Sequence, residues 1–172
     1  MKSPICSFDA KSGVLCRNCE AKLKAGSITQ DDIYAAKKLI GLADHDQEIN
    51  KFTLVRGTRV HDDFVLVLRG LDVGALRANK ELASKIEKVM GRKVWFIENE
   101  ASDRRFIENL FHPAKVLSVN FFWLPETNKL TKVIVAEDAK SASVSIEKVQ
   151  KIAKAVRNIE LLIEFKNIQK RI

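Results

Sequence analysis

The chain is predicted to be an α+β protein: two small modules of the same element order in tandem, behind a short cysteine-bearing segment. Three observations carry this. Apolar runs with strand character alternate with runs of helical periodicity from residue 29 to residue 166. The resulting element order recurs, once over 29–99 and once over 102–166. All three cysteines, Cys6, Cys16 and Cys19, fall within residues 1–26.

The totals narrow the classes. A chain of 172 residues holds one domain of ordinary size or two or three small ones. An apolar fraction of 46% is enough for real cores and argues against wholesale disorder. No apolar run approaches the roughly 20 residues that span a bilayer, and Met1–Cys6 lacks the apolar stretch of a signal peptide. The expectation is a cytoplasmic protein with no membrane partner. The net charge is +8 and the pI about 9.5. Basic and acidic groups balance at 7 and 7 over residues 1–50, but stand at 10 to 7 over 51–100 and 13 to 8 over 101–172. The excess therefore belongs to the two modules, and it favours polyanionic partners over a plain solubilising surface.

In the first segment, an odd number of cysteines argues against a disulfide scaffold. Cys16 and Cys19 have C-x-x-C spacing, which lets two thiolates face one metal ion. Cys6 and Asp9 repeat that spacing with a carboxylate in the last place, and the turn-like Lys11–Val14 separates the pairs. The pattern is zinc-ribbon-like, with Asp9 as fourth ligand, His45 next in line, and a water or bound partner third. A segment with so few apolar residues has more to gain from a metal staple than from a core of its own. The competing reading is three thiols without a metal.

The first module opens with a helix over about 29–43, started by a capping signal at Thr29 and Asp32 and carried by Ile33, Ala36, Leu39 and Ile40. Phe52–Val55 and Arg59–Val60 read as a strand, His61–Asp63 as a turn, and Phe64–Leu68 as a central strand, apolar throughout. His61 is read as a turn residue and not as a catalytic base. Asp72–Glu81 then gives a short helix and a tight loop. Leu82, Ile86, Val89 and Met90 form one face of a further helix, which Gly91 ends. Val94–Ile97 closes the module.

The second module begins after the joint Glu98–Ala101. Ser102 or Asp103 caps a helix bearing Phe106, Ile107, Leu110 and Phe111, and His112–Pro113 ends it. Ala114–Leu124 and Leu130–Ala136 are strands about a turn at Pro125–Asn128. After a polar run to Ser145, a helix over 146–157 buries Val149, Ile152, Ala153 and Val156, and Ile159–Phe165 is the last strand. Residues 167–172 form a basic tail.

Over about 50–166 this order, with the joint Phe111–Val119 and the passage from Glu137–Asp138 into a helix, resembles the KH domains of NusA-type transcription factors. The archaeal NusA-like KH proteins are the nearest family, here with a cysteine module added. The resemblance implies two tandem type II KH-like modules and an RNA-binding protein of the transcription or translation apparatus. KH domains grip nucleic acid through a Gly-x-x-Gly loop, whose glycines let the backbone approach the phosphates. Here the matching residues are Ala78, Asn79, Lys80 and Glu81, and in the second module Ser145–Lys148. Neither has a glycine pair, and Glu81 and Glu147 bring negative charge to the place. RNA contact is therefore expected through basic helix faces: Arg77, Lys80, Lys85 and Lys88 in the first module, Lys148, Lys151 and Lys154 in the second. For each the plainer reading is a solvated helix face. The alternative for the whole chain is an assembly factor that docks on RNA polymerase or the ribosome. Neither a nucleophile–base pair nor a Gly-rich nucleotide loop appears, so neither an enzyme nor a small-molecule substrate is expected.

Overall fold

The computed structural model describes residues 1–123, 129–136 and 145–166. They divide into two compact units, Met1–Ala101 and Ser102–Ile172. Each has a three-stranded mixed sheet. Among the described residues no helix is long and apolar enough to cross a membrane.

The first unit begins with two short helices, α1 (Ser7–Ser12) and α2 (Arg17–Lys24). Residues 7–12 and 17–24 are thus helical, and the ribbon-like reading is corrected. Cys6 and Cys16 each sit at the N-cap of one of these helices, in extended backbone. A cysteine read only as a metal ligand conceals that second position. Gly13, at φ 81°, ends α1 in the left-handed region that glycine adopts without strain. The segment has no separate core: Ile5, Ala10 and Cys19 belong to the same buried cluster as the rest of the unit. Lys2 extends the attachment, accepting from Leu54 N–H at 2.9 Å and donating to Phe52 O at 3.3 Å.

Helix α3 (Gln30–Ala43) starts where the capping signal places it. Thr29 accepts from the Asp32 amide at 3.2 Å, and Asp32 Oδ2 accepts from the Thr29 amide at 2.7 Å. A 3-10 turn, Gln47–Lys51, occupies part of what the sequence leaves as loop. Strand β1 (Leu54–Val60) is continuous, and β2 (Asp63–Leu68) follows after His61, which has φ 52°. The turn reading of His61 accords with this geometry. Helices α4 (Gly70–Ala78) and α5 (Lys80–Met90) lead to β3 (Val94–Glu98). β2 lies in the middle, antiparallel to β1 and parallel to β3, with Phe64 opposite Val94 and Leu68 opposite Glu98. A parallel pairing needs a crossover, and α4 and α5 supply it. Phe64, Leu66 and Leu68 of β2 share one core with Ala36 and Leu39 of α3, Leu76 of α4, and Leu82, Ile86 and Met90 of α5.

One contact fixes how α3 meets the sheet. Asp32 is 1% exposed, and its Oδ1 accepts from the Gly57 amide on β1 at 2.7 Å. A Cβ on Gly57 would stand 2.7 Å from the Ala35 Cβ and 3.0 Å from the Asp31 carbonyl. Only glycine lets helix and strand approach so closely.

The second unit repeats the pattern. Ser102 caps α6 (Asp103–Phe111), accepting from the Arg105 amide at 3.2 Å. Strands β4 (Val116–Trp123) and β5 (Lys129–Ala136) are antiparallel, and β5 is parallel to β6 (Glu160–Lys166), with Leu130 opposite Glu160 and Ala136 opposite Lys166. Helix α7 (Ile146–Arg157) runs before β6. Its Val149, Ile152 and Ala153 are buried, as are Val133 and Val135 of β5, whereas Val156 is half-buried. The Arg157 guanidinium lies 4.6 Å from the centre of the Phe106 ring and 3.3 Å from Asp103 Oδ1, which ties α7 to α6. The turn expected at Pro125–Asn128, the polar run before Ser145 and the tail 167–172 lie outside the described residues.

Candidate metal centre

Cys6, Asp9, Cys16 and Cys19 converge. One ligand atom from each lies within 4.8 Å of every other. The local chain explains the convergence. Cys6 precedes the first turn of α1 and Asp9 lies within that turn. Cys16 and Cys19 hold the same places on α2. Each pair is thus three residues apart at a helix start, a spacing that turns both side chains to one side. The Asp9 amide donates to the Cys6 sulfur at 3.5 Å and favours its thiolate, but the Asp9 carboxylate and burial outweigh it, so the Cys6 thiol stands above its ordinary value.

Asp9 is fully buried and Cys19 is 3% exposed, while Cys16 is half-buried and Cys6 is exposed. Oδ2 of Asp9 accepts from the Cys16 amide at 3.0 Å. Oδ1 is buried and has no hydrogen-bond partner. Apart from that amide, only weak thiol donors stand near this buried carboxylate, so it favours a positive partner. The Cys19 thiol beside it, and the Cys16 amide, hold the Asp9 carboxyl well below the usual carboxylate range. Burial, and then the neighbouring carboxylate, push the Cys19 thiol up to about 12. A cation among these groups would supply what Oδ1 lacks and release the thiol protons.

The dimensions also fit. Tetrahedral bonds of about 2.3 Å to sulfur and 2.0–2.2 Å to oxygen place the ligand atoms roughly 3.5–3.8 Å apart. A spread of up to 4.8 Å closes to that with small side-chain rotations. His45 does not join the cluster. It is exposed beyond the end of α3, so Asp9 and not His45 is the fourth group.

The residues expected to meet RNA are distributed differently. Asn79 alone separates α4 from α5, and it ends the first helix and caps the second, accepting from Leu82 N–H at 3.0 Å. The four residues at the clamp position are therefore a helix end, a joint and a helix start. In the second unit the corresponding Ser145 is the N-cap of α7, and Ile146, Glu147 and Lys148 form its first turn. Arg77 is half-buried and donates to Phe96 O of β3 at 3.0 Å, so it serves the packing of its own unit. Lys85 bridges Glu81 at 2.7 Å and Asp46 at 3.0 Å. Lys151 pairs with Glu147, and Lys154 with Glu160 at 2.6 Å. Lys80, Lys88 and Lys148 are exposed. The pairing of Lys85 with Asp46 is not legible in the sequence, because 39 residues separate them.

No family model matches the chain, and no curated relative matches it. Among solved structures it is similar to one described as the crystal structure of APE1850. The identity is 16% over 74% of this chain and 96% of that one, with a TM-score of 0.52. At that identity the likeness is one of fold alone.

Proposed function

We propose that the protein is an RNA-binding factor of the transcription or translation apparatus, built from two NusA-like type II KH modules and stapled at its N-terminal segment by zinc. The observation that carries this reading is the repeated unit. Twice the chain forms a mixed three-stranded sheet, antiparallel then parallel, followed in each case through a lysine-bearing amphipathic helix to the last strand. The basic excess of the same two stretches favours a polyanion. Contact would run through the lysines of α5 and α7 and not through a glycine clamp. Zinc is the metal that three thiolates and one carboxylate suit best, and a closed set of four protein ligands is a structural site that carries out no reaction. The reading therefore assigns no enzymatic step and no small-molecule substrate, and it places the protein in the cytoplasm.

The test is a salt titration of binding to mixed cellular RNA. Phosphate contacts give an affinity that falls steeply and linearly in logarithmic terms as salt rises. A second reading, an assembly factor docking on RNA polymerase or the ribosome, is favoured by one specific observation. The single-residue joint at Asn79 leaves no glycine loop to receive a phosphate backbone. Absence of RNA binding at low salt, with retention on immobilised polymerase or ribosomes, would decide for that reading.

A further inference from the structure

We propose that Cys6 is an oxidation site, and that hydrogen peroxide empties the metal centre by joining Cys6 to Cys16. This rests on the metal reading above. The four groups differ in their access to solvent. Cys6 is exposed and Cys16 half-buried, whereas Cys19 and Asp9 are closed off at 3% and 0% exposure. An oxidant arriving from solvent meets the Cys6 sulfur first, and reactivity of a thiolate follows its access. The Cys16 sulfur lies within 4.8 Å of it, so a bond of about 2.05 Å needs only a modest approach.

The chemistry balances with one peroxide. The Cys6 thiolate attacks one peroxide oxygen; a sulfur–oxygen bond forms, the oxygen–oxygen bond breaks, and hydroxide leaves and takes up a proton. The Cys16 thiolate then attacks the Cys6 sulfur; the disulfide forms, the sulfur–oxygen bond breaks, and a second hydroxide leaves as water. Two thiolates lose two electrons, and the peroxide gains them. Asp9 and Cys19 remain, a pair too small to hold the dication, which departs. Both oxidised residues are helix N-caps, so the new bond ties the starts of α1 and α2 together where the metal had joined them.

The experiment uses the full chain carrying zinc. Hydrogen peroxide is added in the presence of a chromogenic chelator, and thiols and disulfides are mapped by alkylation and mass spectrometry. The expected result is loss of the bound zinc in step with loss of two of the three thiols. A Cys6–Cys16 bridge should form, Cys19 should remain alkylatable after unfolding, and a phosphine reductant with added zinc should restore the starting state. Zinc retained under peroxide, or a bridge that contains Cys19, overturns the inference and leaves the metal reading standing. A chain that carries no zinc before peroxide is added, and takes up none, overturns both.

Discussion

The backbone N–H of Cys16 donates to Oδ2 of Asp9 at 3.0 Å, while Oδ1 of the same carboxylate is buried without a partner. The amide thus holds one oxygen in place, and a carboxylate oxygen of Asp9 stands within 4.8 Å of each of the three sulfurs. A metal ligand at this position would be fixed by that outer hydrogen bond.

The first prediction concerns that carboxylate. Asp9→Ala should lower zinc affinity by at least about tenfold, measured by competition with a chelator of known strength. Asp9→Cys should keep a bound metal, since four thiolates form a common structural site. Unchanged affinity in Asp9→Ala would remove Asp9 from the ligand set.

A second prediction concerns the seat of α3. Asp32→Ala removes the carboxylate half of the capping box and strands the buried Gly57 amide, and it should destabilise by about 2–4 kcal/mol. Gly57→Ala forces a Cβ against Ala35 and the Asp31 carbonyl, and it should cost roughly 1–3 kcal/mol. Urea unfolding checks both. If either variant unfolds at the wild-type midpoint, that contact is not what holds helix to strand.

A third prediction is a pH dependence. The Lys85 hydrogen bond, with help from the Glu48 amide, lowers the Asp46 pKa below its ordinary 3.8. Hydrogen bonds to Glu81 and then Asp46 raise the Lys85 pKa above its ordinary 10.5. A depressed carboxylate stabilises the fold above its unfolded pKa and loses that contribution as pH falls through the folded one; a raised lysine stabilises below its unfolded pKa and loses the contribution as pH rises. The bridge should therefore act between those limits. Lys85→Met should melt below wild type at neutral pH, and the difference should shrink as the solution is acidified below pH 3.8. A difference that persists undiminished in acid would mean that Lys85 acts through its packing.

A fourth prediction separates the lysines. If RNA lies along α5 and α7, Lys80→Ala with Lys88→Ala should lower the salt slope by about 2, close to one for each phosphate no longer neutralised. Lys151→Ala should do less, because Glu147 already partners that ammonium. A slope unchanged by all three substitutions would place RNA, if it binds, away from these helices.

What the sequence revealed depended on how local the signal was. Thr29 and Asp32 marked the start of α3 because capping needs only neighbouring residues. Leu82, Ile86 and Met90 marked the buried face of α5 because helical periodicity is a local property. The four clustered residues were legible for the same reason, being two short spacings. The Phe96 partner of Arg77 was not legible: adjacent to the buried Leu76, Arg77 donates to a carbonyl on β3 that no periodicity identifies. The helical state of residues 7–24 was hidden because the segments are short and their caps are cysteines, which capping statistics do not lead one to expect.

The single joint between α4 and α5 has a mechanical consequence. One residue offers two rotatable backbone bonds, and Asn79 commits them at φ −95° and ψ 82° while its side chain holds the next helix. The backbone at the joint therefore has little freedom with which to mould itself to a visitor. A partner that docks there must match a shape already set, with little ordering left to do on arrival. Substitutions at such a surface should change how long a complex lasts far more than how fast it forms.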